Sequence, residues 1–172
     1  MASCRLSPGA PKTVGERLRY NQETRDFVRW YRQENFKEEP VVLEDSVGLE
    51  HLTRIPKDNI WTRADRDEIA DCIKHPVFQV WTKDLTGPIE IVPVSVISAI
   101  FAGPGDSWEL FHARYKGCLL VWGQPIFVHN YSYCLFYSQY SYGWLEGTGS
   151  LSLFKKVGNK WVLVKDYGRW IS

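Results

Sequence analysis

The 172-residue chain predicts an α+β fold: a curved antiparallel sheet of four to six strands, drawn mainly from residues 117–167, packed against an N-terminal helix and shorter helices. Three observations predict it. Helical periodicity and capping signals run through the first 115 residues. From Gly117 onward the pattern changes to short extended runs bounded by turn residues. Between two of those runs lies Val157-Gly158-Asn159-Lys160, where glycine and asparagine tolerate the positive φ of a two-residue hairpin. Residues 1–12, with Pro8, Gly9 and Pro11, read as a flexible lead, and 13–172 as a single domain. A chain of this size buries roughly 70% of the surface its unfolded form exposes, so it needs no disulfide or metal staple.

The elements follow in order. Thr13 and Glu16 have the spacing of a capping box, in which hydroxyl and carboxylate each satisfy a free backbone N–H. A helix then runs to about Lys37, with Tyr20, Phe27, Trp30 and Tyr31 recurring at threes and fours. Pro40 ends it, and residues 41–43 form a short strand. A second helix spans Arg63–Lys74 behind Thr62 as N-cap, with Asp65, Asp67 and Glu68 at its positive dipole end and Ile69, Cys72 and Ile73 facing inward. Residues 77–81 are a short strand, 89–94 are extended, and 95–101 make one or two helical turns. Asp106 and Glu109 repeat the capping-box spacing before a short helix through Tyr115. Strands follow at 118–122, 126–128, the tyrosine-rich band, 150–157 and 160–167.

The last turn sets a register: Lys156 opposite Trp161, Phe154 opposite Leu163, Leu153 opposite Val164. One face then carries Leu151, Leu153, Val162 and Val164 and must meet the core, since each buried aliphatic contributes about 1.5–3 kcal/mol. The other carries Phe154, Trp161 and Leu163 beside Ser152, Lys156 and Lys165. Asp166 falls opposite Leu151, at the margin of the apolar face. In the band YSYCLFYSQYSYGW, a turn at His129-Asn130 pairs Val128 with Tyr131. Tyr131, Tyr133, Leu135 and Tyr137 then share one face, half-solvated, and Ser132, Cys134, Phe136 and Ser138 share the other, against helices. Trp122 extends the tyrosine face near Tyr137, with Gly123 and Pro125 as sites for a bulge. These rings either cover a packed sheet or wall a concave pocket between helix and sheet; the candidate ligand-binding residues are Trp122, Tyr131, Tyr133, Tyr137 and Trp144.

Several chemistries are excluded. A net charge of +1 gives no broad electrostatic footprint for nucleic acid or anionic membrane. Cys4, Cys72, Cys118 and Cys134 form no CxxC pair and no zinc-type cluster with histidine, which points to reduced thiols, no metal and a cytoplasmic protein. The start of the chain has no signal-peptide pattern, and no apolar run reaches membrane-spanning length. Gly143, Gly147 and Gly149 precede a strand and not a helix, so they make no phosphate loop. Neither a GxSxG nor a cysteine-protease signature is present, and no cofactor motif is found. Of His51, His75, His112 and His129, His112 beside Phe111 is the candidate acid–base group, together with Asp166, whose neighbour Arg169 can pair with it.

The stretches WELFHARYKGCLLVW and YSYCLFYSQYSYGWLEGTGSLSLFKKVGNKWVLVKDYGRWIS resemble the closing part of a family of small, uncharacterised bacterial α+β proteins, whose chains end in a Trp-bearing helix, a strand, a glycine-flanked K-x-x-G-x-K-W hairpin and W-I-S. Residues 41–46 and 93–101 resemble it more faintly. The resemblance covers about a third of the chain and implies a fold without an activity. In outline the helix-on-curved-sheet arrangement is also similar to cone-shaped nuclear-transport-factor-like domains, which host binding proteins and cavity enzymes.

Three functions compete. An aromatic cleft for a small apolar or planar ligand comes first, because ring surface is abundant and enzyme motifs are not. A cofactor-independent cavity enzyme, an isomerase, dehydratase or cyclase using His112 or Asp166, comes second. The third is a protein-interaction or immunity-type partner, since tyrosine and tryptophan concentrate at interface hot spots.

Overall fold

A computed structural model describes residues 13–37, 39–48 and 58–171; the lead at 1–12, Glu38 and His51 lie outside the described residues. The capping box at Thr13 and Glu16 forms, and starts α1 (Val14–Asn35). Thr62 likewise caps α2 (Arg63–Lys74) in a reciprocal box with Asp65. Two further helices of eight residues, α4 (Val94–Phe101) and α5 (Ser107–Arg114), follow the four-residue α3 (Lys83–Thr86). At α5 the Asp106 carboxylate accepts from the amides of Trp108 and Glu109.

The α+β class holds, but the curved, purely antiparallel sheet of four to six strands is overturned. Seven strands form one open, mixed sheet: β1 (Val41–Glu44), β2 (Glu90–Val92), β3 (Cys118–Trp122), β4 (Ile126–Val128), β5 (Tyr133–Gly143), β6 (Glu146–Val157) and β7 (Lys160–Ile171). Their order is β2-β1-β3-β5-β6-β7, with β4 beside β5 in line with β3. The strand β1 is parallel to both β2 and β3, and the remaining pairs are antiparallel. Long connections carrying helices return the chain to the same sheet end, which is what parallel pairing requires. The sheet is open, neither closed nor strongly curled.

On one face Tyr20, Phe27 and Val28 of α1 meet Leu43, Leu120, Trp122, Cys134, Phe136, Phe154 and Trp161. Phe27, fully buried, sits at the centre of this layer, 5.0 Å from the Phe136 ring and 5.2 Å from that of Trp161, both edge-on. On the opposite face Ile69 and Cys72 of α2 cover Ile126, Val128, Leu135 and Leu153. Farther along the same face α4 and α5 bury Val42 and Leu119 beneath Ile97, Trp108 and Phe111. The expectation that one face of the tyrosine band stays half-solvated is therefore corrected at Tyr137, which is buried.

Three irregularities decide which side chains face where. Gly123-Gln124-Pro125 interrupts the strand between β3 and β4, and shifts the pairing sum so that Trp122 faces α1 while Ile126 faces α2. The buried Gln124 amide satisfies the break, accepting from the Val77 amide at 2.9 Å and donating to the Cys72 carbonyl at 2.8 Å. The turn into β5 spans four residues and not two: Val128 pairs with Tyr133, and His129, Asn130 and Tyr131 all have positive φ. In the last hairpin Lys156 and Phe154 pair as expected, but Leu153 then meets Lys165 and Ser152 meets Asp166. Val164 is the extra residue. Val162 and Val164, expected in the core, lie about half exposed on an edge strand that α2 does not reach.

A cleft between the first helix and the last strands

Register shifts in β7 build the site. The bulge at Val164 turns Asp166 to the α1 face, beside Ser152. A second shift between Ser152 and Ser150 brings Arg169 to that same face, opposite Ser150. With regular alternation Asp166 would face α2 instead, where the sequence placed it. Between these strands and the second half of α1 lies a cleft of about 740 Å³.

One wall comes from α1 and the chain just beyond it: Trp30, Tyr31, Glu34, Asn35, Phe36 and Glu39. Rings hold this wall to the sheet. Tyr31 meets Phe136 edge-on at 5.0 Å, Trp30 meets Phe154 at 5.5 Å, and Phe36 meets Tyr140 at 5.9 Å. The floor is hydroxylated. Ser138 and Thr148 flank Ser150 and Ser152 on paired strands, and Tyr140 and Tyr142 rise from β5 beside them. Ser152 donates a short hydrogen bond to Asp166 Oδ1, and its hydroxyl lies 3.1 Å from that of Ser150. Arg169 Nε donates to Thr148 Oγ1 at 3.3 Å.

Burial raises the Tyr31 hydroxyl above its ordinary pKa, and the negative charge of Asp166 adds to the shift. Tyr142 is pushed up to about 12, first by burial and then by Cys118 and Glu39; its hydroxyl donates to Glu39 at 3.1 Å. Both rings are therefore neutral phenols at physiological pH. The cleft offers flat apolar faces, hydroxyls that donate or accept, and carboxylates.

Of the residues singled out by sequence, Asp166 lines this cleft. Trp122 is fully buried beside it, between Tyr31, Trp81 and Phe136. Tyr137 is buried on the opposite face and its hydroxyl donates to Gln139 at 3.0 Å. Tyr131 lies on Phe127 beneath the Arg19 guanidinium, and Tyr133 stands edge-on to His129. Trp144, largely exposed at the β5–β6 tip, touches Phe101. His112 stacks on Trp108, and its Nε2–H donates to the Tyr142 carbonyl at 2.8 Å, outside the cleft. These side chains are not brought into one cavity. The β5 tyrosines that do line it, Tyr140 and Tyr142, had a visible signal: odd spacings of three and five from Tyr137 put them on the other face of the strand.

A second polar cluster lies where α2 begins. The Asp65 carboxylate accepts from the Thr62 amide at 2.8 Å and the Thr62 hydroxyl at 2.7 Å, and pairs with His129 at 2.9 Å. Burial alone would raise its pKa, but the bonds from Thr62 and His129 outweigh it and hold the carboxyl below its ordinary range. One turn on, burial and then the charge of Asp65 push Glu68 up to about 8, and its Oε1 has no hydrogen-bond partner.

Among the described residues no group of three histidine, cysteine or acidic side chains is placed to hold a metal ion. Cys72, Cys118 and Cys134 are buried free thiols. No helix among those residues is long and apolar enough to cross a membrane. No protein-family model matches the chain, and neither a curated protein nor a solved structure matches it.

Proposed function

We propose that the protein is a small-molecule binding domain whose ligand, a planar and largely apolar compound, lies in the cleft between α1 and β5–β7. The observation that carries this reading is the cleft itself: about 740 Å³, walled by rings and floored by hydroxyls. That volume falls within the roughly 300–1,000 Å³ of small-molecule sites, which combine apolar walls with a few orienting polar groups. A protein partner needs a broad surface of about 800 Å² per side, which a recess between one helix and three strands serves poorly. Trp30 in the wall supplies an intrinsic reporter. Titration with a panel of planar compounds should change tryptophan fluorescence, and Tyr140→Ala, which removes the ring facing Phe36, should weaken the responding compounds by about tenfold. A panel without any saturable response overturns the reading.

A second reading, a cofactor-independent cavity enzyme, is favoured by Asp166, a carboxylate in the cleft floor held by a serine hydroxyl. A carboxylate so placed can take a proton from a bound compound and return it. Chemical change of the bound compound on long incubation, lost in Asp166→Ala, supports it; recovery of that compound unchanged overturns it.

A further inference from the structure

We infer that the ligand of this cleft is a planar organic cation. The inference rests on the binding reading above and adds the charge of the ligand. In a chain of net charge +1, the cleft is locally acidic, with the carboxylates of Glu34, Glu39 and Asp166 set against the single guanidinium of Arg169. Asp166 receives the Ser152 hydroxyl on Oδ1, and no lysine or arginine among the described residues lies within ion-pair distance of it. The Arg169 Nε–H is already turned to Thr148. The arginines of α1 are elsewhere: Arg25, Arg29 and Arg32 border a different hollow beside α3, where Arg25 pairs with Asp84 at 3.1 Å. Of the charged residues of α1, the one that lines the cleft is Glu34.

The rings add to this independently. The face of an aromatic ring is the negative side of its quadrupole and attracts a cation that stacks on it. Trp30, Tyr31 and Tyr140 present such rings around the same space that the carboxylates border. An anion would meet carboxylates and π-faces together. A neutral planar compound would gain the apolar walls and leave the charges unused. A flat cation uses both.

The test compares three probes of one shape by equilibrium dialysis at neutral pH and low salt: quinoline, 1-methylquinolinium and quinoline-2-carboxylate. The methylated cation should bind about tenfold tighter than quinoline, a difference of ~1.4 kcal/mol, with the carboxylate weakest. Asp166→Asn keeps an acceptor for Ser152, and should bring cation and quinoline to within roughly twofold of each other. An unchanged urea midpoint and tryptophan emission spectrum in that variant show that the fold around the cleft is intact. Quinoline binding as tightly as its cation, or a ratio unmoved by both Asp166→Asn and Glu34→Gln, overturns the charge inference and leaves the binding reading standing. Failure of all three probes to bind removes the binding reading and the inference together.

Discussion

Alanine in place of Gly117 should cost the fold far more than one methyl group. Gly117 stands between α5 and β3 at φ +93, where a Cβ would fall 1.7 Å from the Pro40 carbonyl oxygen and 2.4 Å from its carbon. Both atoms are backbone, so no rotamer relieves the overlap. Real Cβ contacts stay beyond 3.0 Å, so Pro40 must move by more than an ångström, at the point where Val41 pairs with Cys118 to begin the parallel ladder. The backbone strain contributes about 1–3 kcal/mol. One or two lost ladder hydrogen bonds add about 0.5–1.5 kcal/mol each. Together these give about 1.5–6 kcal/mol, a large part of the ~5–15 kcal/mol that holds a domain folded. Gly158→Ala is the control: φ is +60 but nothing stands within 4 Å, so only the conformational cost of about 1 kcal/mol remains. In urea denaturation followed by tryptophan fluorescence, with a slope of about 2–3 kcal/mol/M, the midpoint should fall by roughly 0.5–3 M at position 117 and by less than about 0.5 M at 158. Equal falls for the two variants would refute the close approach of Pro40.

Two further outcomes concern the cluster at the start of α2. Because the folded pKa of Asp65 lies below its ordinary value, the stability it contributes is present above about pH 4 and is lost as pH falls through the folded pKa. Asp65→Asn should therefore cost about 1–2 kcal/mol at neutral pH, with the gap from wild type closing in acid; a pH-independent gap in urea midpoints contradicts it. Glu68 has the opposite sign: with a folded pKa of about 8 against an ordinary 4.5, the folded state keeps a proton that the unfolded chain releases. Stability then declines as pH rises from about 4.5 to 8. Glu68→Gln should abolish that decline and exceed wild type by on the order of 1 kcal/mol at pH 8, with no advantage at pH 4; parallel pH profiles of the two proteins would contradict this.

Local signals carried much of the architecture. The capping box at Thr13 and the N-cap at Thr62 place α1 and α2 within two residues, because a cap is written in residues that touch it. The Val157–Lys160 turn and the first pairs of its hairpin follow from chemistry confined to four residues. The parallel strands escaped because β1 and β2 are four and three residues long, and β1 meets a partner, β3, 77 positions away. Nothing local marks such a pairing. Asp166 was visible as a carboxylate near an apolar face, yet its direction depends on Val164 being bulged, and alternation alone gives the wrong side. The tyrosine band gives no sign that α2 covers Tyr133 and Leu135, because no periodicity reveals where that helix docks.

The cleft takes its two sides from parts of the chain far apart in order of synthesis. Trp30 and Tyr31 leave the ribosome more than a hundred residues before Ser150, Asp166 and Arg169. At about 5–20 residues per second, α1 waits for roughly 6–28 s before the strands that cover Phe27 and its neighbouring rings are made. The two sides of the cleft therefore come together only after the last strand has been made.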